Sequence, residues 1–83
     1  MVIVCYIIST KFSTHYCGIT NNLRRRWKEH VRGESKYLSI YKPHEVVYVE
    51  WFNSYEAARK RERYIKQKGV WKVAKSFLLL NNR

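Results

Sequence analysis

With 83 residues the chain has room for one hydrophobic core and no second domain, and a fold this short buries only about 60% of the surface its unfolded form exposes. Hydrophobic residues make up 46% and are spread along the sequence, which excludes disorder, and no apolar run reaches the roughly 18 residues of a membrane span. Lys and Arg number 17 against 6 Asp and Glu, a formal charge of +11 that points to a polyanionic partner. Nucleic acid is favoured over an acidic membrane surface, because no segment sets its cations against a long apolar face.

The β-branched and aromatic run 2–8 (VIVCYII) and the weaker run 15–20 (HYCGIT) enclose polar residues 9–14, which predicts a β-hairpin. The apolar start has no preceding basic region or small-residue cleavage site, so the expected location is intracellular, in the cytoplasm. If the strands pair, the period of two puts Tyr6 and Tyr16 on one sheet face and Cys5 and Cys17 on the other. Those two cysteines make neither a disulfide framework nor a zinc site.

Asn21 or Asn22 caps a helix running to about Arg32, with Gly33 as its stop. Leu23, Trp27 and Val31 form its packing stripe, and Arg24, Arg25, Lys28 and Arg32 stay largely in water. Arg26 and His30 form a second stripe at the edge between core and solvent, where a polar side chain can be held and still reach a ligand. Residues 34–44 read as a polar, aromatic loop, with Pro43 arguing against regular structure before a third strand at 45–52 (EVVYVEWF). Ser54 caps a helix from Tyr55 to about Lys68, Gly69 ends it, and a shorter helix spans Val70 to about Leu80. The expected order ββαβαα is an α+β fold: a short three-stranded antiparallel sheet flanked by helices, one domain over 1–83.

Ala58 and Ile65 lie seven apart on the inner face of that long helix, and Glu62 falls between them. An acid on an apolar stripe is either an ion-paired residue or a metal ligand; magnesium, which keeps most of its waters, needs only one or two carboxylates plus substrate phosphate. Arg26 alone reads as a solvated cation, Tyr6 and Tyr16 as sheet residues, and His30 as a polar helix residue. Together with Glu62 they form a phosphodiesterase set: phenol or imidazole to take a proton from water, guanidinium for the charged transition state, and a metal for the departing oxygen. Cys17 is a poor nucleophile, with no histidine beside it on its strand face.

Val4-Cys5-Tyr6 and Tyr16-Cys17-Gly18, followed by Ile19-Thr20-Asn21-Asn22-Leu23, Arg26 and His30, resemble the paired tripeptides and first helix of the GIY-YIG nucleases. Ser35-Lys36-Tyr37, Pro43, Val46-Val47-Tyr48, Glu50, Phe52, Glu56-Ala57, Arg61-Glu62 and Ile65-Lys66 extend the resemblance to the small, single-domain branch of that family over nearly the whole chain. Val4 and Cys5 depart from the family's Gly and Ile, and its late asparagine has two candidates here, Asn81 and Asn82.

The resemblance implies a metal-dependent DNA endonuclease using one Mg2+ or Mn2+ ion. Tyr6 and Tyr16 would line the catalytic face, with Tyr16 or His30 activating water, Arg26 on the scissile phosphate and Glu62 on the metal. Gly18 is expected to leave space beside the sheet for the helix start or the incoming backbone. Arg24, Arg25, Lys28, Arg32 and Lys36 are the expected phosphate contacts. A monomer that nicks one strand per event follows, with a separate partner protein supplying target specificity. The alternative is a nucleic-acid-binding module that keeps the fold without the activity.

Overall fold

The structure, a computed structural model, describes residues 2–81, except the side chain of Asn81. Strands β1 (Ile3–Thr10) and β2 (His15–Thr20) form the expected hairpin, with Tyr6 opposite Gly18, Ile7 opposite Cys17 and Ile8 opposite Tyr16. Its turn is held by Thr10, whose hydroxyl accepts from the backbone N–H groups of Phe12 and Thr14, both at 3.2 Å. The sheet order is β2-β1-β3, with β3 spanning Pro43–Phe52 and both pairings antiparallel.

Placing β1 in the middle explains why its apolar run is continuous rather than alternating, because helices cover both of its faces. One face of the sheet sets Val4, Tyr6 and Ile8 against Leu38, Leu23 and Trp27. The other sets Cys5, Ile7, Cys17 and Tyr48 against Ile65 and Ala74. Tyr6 and Tyr16 therefore share a face, and the two cysteines share its opposite.

Helix α1 (Leu23–Val31) starts at Asn22, whose side chain accepts from the Arg25 N–H at 3.0 Å. Its buried stripe is not the expected one. Val31 is 58% exposed, whereas His30 is 1% exposed. Leu23, Trp27 and His30 lie at i, i+4 and i+7, so the helical period carries the histidine inward, off the expected core-solvent edge, and rotates the valine out.

The segment read as a loop contains a short helix, α2 (Lys36–Tyr41), so the order is ββααβαα. No side chain caps its N-terminus. Tertiary contacts hold it: Leu38 is fully buried under the sheet, and the Tyr37 ring lies 5.6 Å from that of Tyr16. Pro43, expected outside regular structure, opens β3 opposite Thr10, a strand-start position where proline's missing N–H is tolerated. Helix α3 (Tyr55–Lys68) is capped by Ser54, whose hydroxyl accepts from the Ala57 N–H at 3.2 Å, and α4 (Val70–Asn81) follows Gly69. Gly69 has φ of 105°, a turn that a side-chain-bearing residue would strain.

Candidate active site

Four of the expected residues converge on the α1 side of the sheet. Tyr6 projects from the central strand, and its phenol oxygen lies 2.8 Å from His30 Nε2 in a buried hydrogen bond. Gly18, its cross-strand partner, is what makes room. A Cβ at residue 18 would sit 2.7 Å from the Tyr6 oxygen, 2.9 Å from its Cζ and 3.2 Å from Tyr16 Cε2. The space expected to serve a helix start or incoming backbone is thus filled by the Tyr6 phenol itself.

Burial pushes the Tyr6 phenol up to about 12, outweighing the opposite pull of Arg26. Burial, and then the Arg26 charge, hold His30 below its ordinary value. At neutral pH both groups are uncharged and share one proton position between oxygen and Nε2. The other ring nitrogen, Nδ1, is buried with no hydrogen-bond partner among the described residues. Keeping such a nitrogen unpaired costs about 1–3 kcal/mol, which is unusual for a purely structural histidine.

Arg26 stands where this buried pair meets solvent, with its side chain 40% exposed. The Tyr6 phenol beside it, then Glu29, raise its already high pKa, so it stays charged. Its Nη1 donates to Glu29 Oε1 at 3.0 Å. Tyr16, half-buried on the edge strand, packs its ring edge-on to His30 at 5.3 Å and 6.4 Å from Tyr6. Glu29 and Tyr37 are neighbours the sequence reading missed. Glu29 had a usable signal, its i+3 spacing from Arg26; Tyr37 had one in the Ser35-Lys36-Tyr37 match, but the segment carrying it was read as a loop.

Glu62 does not join this cluster. It sits on α3, which packs with Ile65 on the opposite face of the sheet. No hydrogen bond or ion pair links it to Tyr6, Tyr16, Arg26 or His30 among the described residues. Its carboxylate accepts from Lys66 Nζ at 3.2 Å, with side-chain exposures of 23% for Glu62 and 57% for Lys66. It opens on a shallow concavity of about 390 Å³ lined by Arg59, Arg63, Lys66 and Gln67. The contact between the two thiols lowers the Cys5 pKa and, with burial, raises that of Cys17, and the Glu62 charge pushes upward on both. The two halves of the expected set therefore flank edge strand β2, with Gly18 and Tyr16 facing one half and Cys17 facing the other.

Among the described residues no group of three His, Cys, Asp or Glu could enclose a metal ion. A lone, partly exposed carboxylate suits a cation that keeps its waters and takes its other ligands from a phosphate, as magnesium does. Glu62 meets that requirement; its i,i+4 pair with Lys66 is too exposed to be a strong competitor. Cys17 is excluded as a nucleophile, because the neighbouring Cys5 thiol and burial both push its pKa up and keep it protonated.

The expected phosphate contacts Arg24, Arg25, Lys28, Arg32 and Lys36 are all exposed. Arg25 lies 3.8 Å from Glu29 and Arg32 pairs with Glu34 at 2.7 Å, while Arg24, Lys28 and Lys36 make no ion pair among the described residues. Asn82 and the side chain of Asn81 lie outside the described residues. No helix is long and apolar enough to cross a membrane among the described residues.

The chain is similar to known proteins in sequence and in fold. A UPF0213 protein of Natronomonas pharaonis is 44% identical over 62 residues, covering 74% of this chain and 73% of the relative. One from Clostridium perfringens is 41% identical over 63 residues, covering 75% and 68%. The solution NMR structure of a UPF0213 protein from Bacillus halodurans superposes with a TM-score of 0.58 at 30% identity, covering 95% of this chain and 85% of that one. The family profile described as the GIY-YIG catalytic domain matches residues 2–70, a span that takes in both tripeptide positions, Arg26, His30 and Glu62. On these grounds the chain belongs to the GIY-YIG family, a nuclease superfamily, and resembles its UPF0213 members in both sequence and fold.

Proposed function

We propose that the chain is a metal-dependent DNA endonuclease that hydrolyses one phosphodiester bond per encounter. The observation that carries this reading is the buried hydrogen bond of 2.8 Å between Tyr6 and His30 beside the charged Arg26. A neutral phenol–imidazole pair can take up a proton from water, the phenol relaying it and the imidazole ending protonated and positively charged. Arg26, half in solvent, contacts a non-bridging phosphate oxygen and stabilises the charge that builds there as water attacks phosphorus. Because Tyr6 and His30 are buried and Tyr16 and Arg26 are half-buried, the substrate meets Tyr16 and Arg26 first. The water's proton then passes to the Tyr6 oxygen, whose own proton moves to His30 Nε2.

Glu62 would hold the single Mg2+ or Mn2+ ion, whose chemistry when bound is charge stabilisation on the departing oxygen. Arg24, Arg25, Lys28, Arg32 and Lys36 supply phosphate affinity as a solvent-facing set. In this reading the enzyme works as a cytoplasmic monomer, and a separate protein supplies target choice. A second reading, a binding module without activity, is favoured by one observation: Glu62 is paired with Lys66, and no hydrogen bond or ion pair joins it to the tyrosine cluster among the described residues.

Supercoiled DNA incubated with the purified chain separates the two. The endonuclease yields nicked circle before linear DNA with magnesium or manganese and nothing with chelator. Retardation of DNA without nicked product under either metal gives the binding module.

A further inference from the structure

A second concavity lies across the sheet from Tyr6, where β3, α3 and α4 meet. Its volume is about 400 Å³, within the range of about 300–1,000 Å³ usual for small-molecule sites. Tyr48, 5% exposed, forms the floor, and the Phe77 ring meets it edge-on at 4.9 Å. Tyr64 and Leu80 form exposed walls, with Val73 between them and the floor. Arg61, Lys68, Lys72 and Ser76 complete the lining, which holds no acid among the described residues.

Arg61 is held rather than free. Its Nε donates to Glu50 Oε1 at 2.9 Å and to the Tyr48 hydroxyl at 3.4 Å, and Tyr48 donates in turn to Glu50. That arrangement fixes the guanidinium plane, and no hydrogen bond among the described residues engages its two terminal nitrogens. The same guanidinium lies 5.0 Å from the centre of the Tyr64 ring, and Lys68 Nζ lies 5.8 Å from it. Arg61 and Lys68 thus both lie over the Tyr64 ring, and Lys72 adds a third cation to the rim.

We infer that this pocket binds a nucleoside monophosphate unit, its base against Tyr64 and Phe77 and its phosphate on Arg61, Lys68 and Lys72. The planar base matches the aromatic lining, and the two-pronged guanidinium matches phosphate oxygens. The choice of a nucleotide rests on the nucleic-acid reading above, but the pocket shares no residue with the tyrosine cluster. The unit is either a free nucleotide or the terminal nucleotide of a DNA strand.

Calorimetric titration of the whole chain with dAMP, deoxyadenosine and inorganic phosphate tests it. Saturable one-to-one binding of dAMP, at least tenfold tighter than either fragment, is expected. Tyr64→Ala and Lys72→Glu, both at exposed positions, should each weaken dAMP at least tenfold while circular dichroism and DNA nicking stay at parent level. A DNA hairpin with a single 5′-phosphorylated overhanging nucleotide displaces dAMP if strand ends are the source, and leaves it bound if the free nucleotide is. Binding of dAMP no tighter than phosphate, or untouched by both variants, overturns the inference. So does self-association that covers Leu80 and excludes dAMP. Binding is read without cleavage, so a chain that binds dAMP but cuts no DNA fails the endonuclease reading and keeps the pocket.

Discussion

Gly18→Ala is the most direct probe of how the tyrosine cluster is built. The added methyl would lie 2.7 Å from the Tyr6 oxygen and 2.9 Å from its Cζ, closer than real side-chain carbons approach. The phenol must move, and forced overpacking of this kind costs about 1–3 kcal/mol. Moving it also strips His30 Nε2 of its one partner in a site where Nδ1 is already unpaired, a further cost of about 1–3 kcal/mol. The sum, about 2–6 kcal/mol, is a large share of the roughly 4–12 kcal/mol that a domain of this length commands. The variant should fold with a much lower urea midpoint. Tyr6→Phe alone removes the same hydrogen bond, so the two changes overlap. In a double-mutant cycle followed by circular dichroism, the combined loss should fall short of the sum of the single losses by about 1 kcal/mol or more. Additive losses, or a Gly18→Ala variant within about 0.5 kcal/mol of the parent, would refute the packing account.

Arg26→Ala should slow single-turnover cleavage about 100-fold or more, and Arg26→Lys should restore little, because an ammonium lacks the two-pronged fork; parent-rate cleavage by folded Arg26→Ala would remove it from the reaction. Glu62→Gln should abolish metal-dependent cleavage with little effect on folding, since an exposed i,i+4 pair such as Glu62–Lys66 contributes about 0.3–0.5 kcal/mol; unfolding, or unchanged cleavage by the folded variant, contradicts the metal assignment. DNA affinity should fall linearly with the logarithm of salt, and Arg24→Ala should make that slope shallower by about 0.9, measured by fluorescence anisotropy. Burial lowers the folded-state pKa of His30, so its contribution to stability is complete above the ordinary value of 6.5 and is lost as pH falls below that value through the folded one. His30→Gln should remove this acid loss, whereas His15, shifted the same way, keeps its own; identical pH profiles for parent and variant would contradict it.

Elements governed by local chemistry were legible in the sequence. The hairpin, the Asn22 and Ser54 caps, the turns at Gly33 and Gly69, and the opposite faces of Tyr6 and Cys5 follow from side-chain period and capping alone. Helix α2 was not legible, because its six residues are held by Leu38 under the sheet and Tyr37 on Tyr16, contacts a sequence does not display. The fate of His30 was lost to a bias toward apolarity. Val31 is the more hydrophobic residue, but geometry gives the inner place to the residue seven after Leu23, and only the Tyr6 hydroxyl beneath it makes that place tolerable for an imidazole. Two tryptophans stay outside the core: Trp51 is 66% exposed, and the exposed Trp71 sets its ring at 4.8 Å from that of His15.

Glycine 18 and Glu62 show why identity is easier to read than partnership. A glycine inside a strand announces that something approaches closely, yet whether that is a helix, a substrate or a neighbouring ring depends on the register, and register is set by pairings along the whole hairpin. In the same way, the spacing of Ala58, Glu62 and Ile65 gives Glu62 its helix face but not which side of the sheet that helix covers. A sheet separates Glu62 from Arg26, so a single phosphate can meet both only around the rim of β2. Edge strand β2 has no strand beyond its outer side in the sheet order, and its Tyr16, Gly18 and Cys17 alternate between the two halves of the candidate site. The strand that bears the second tripeptide is therefore the element that borders both the proton-transfer pair and the carboxylate's side of the sheet.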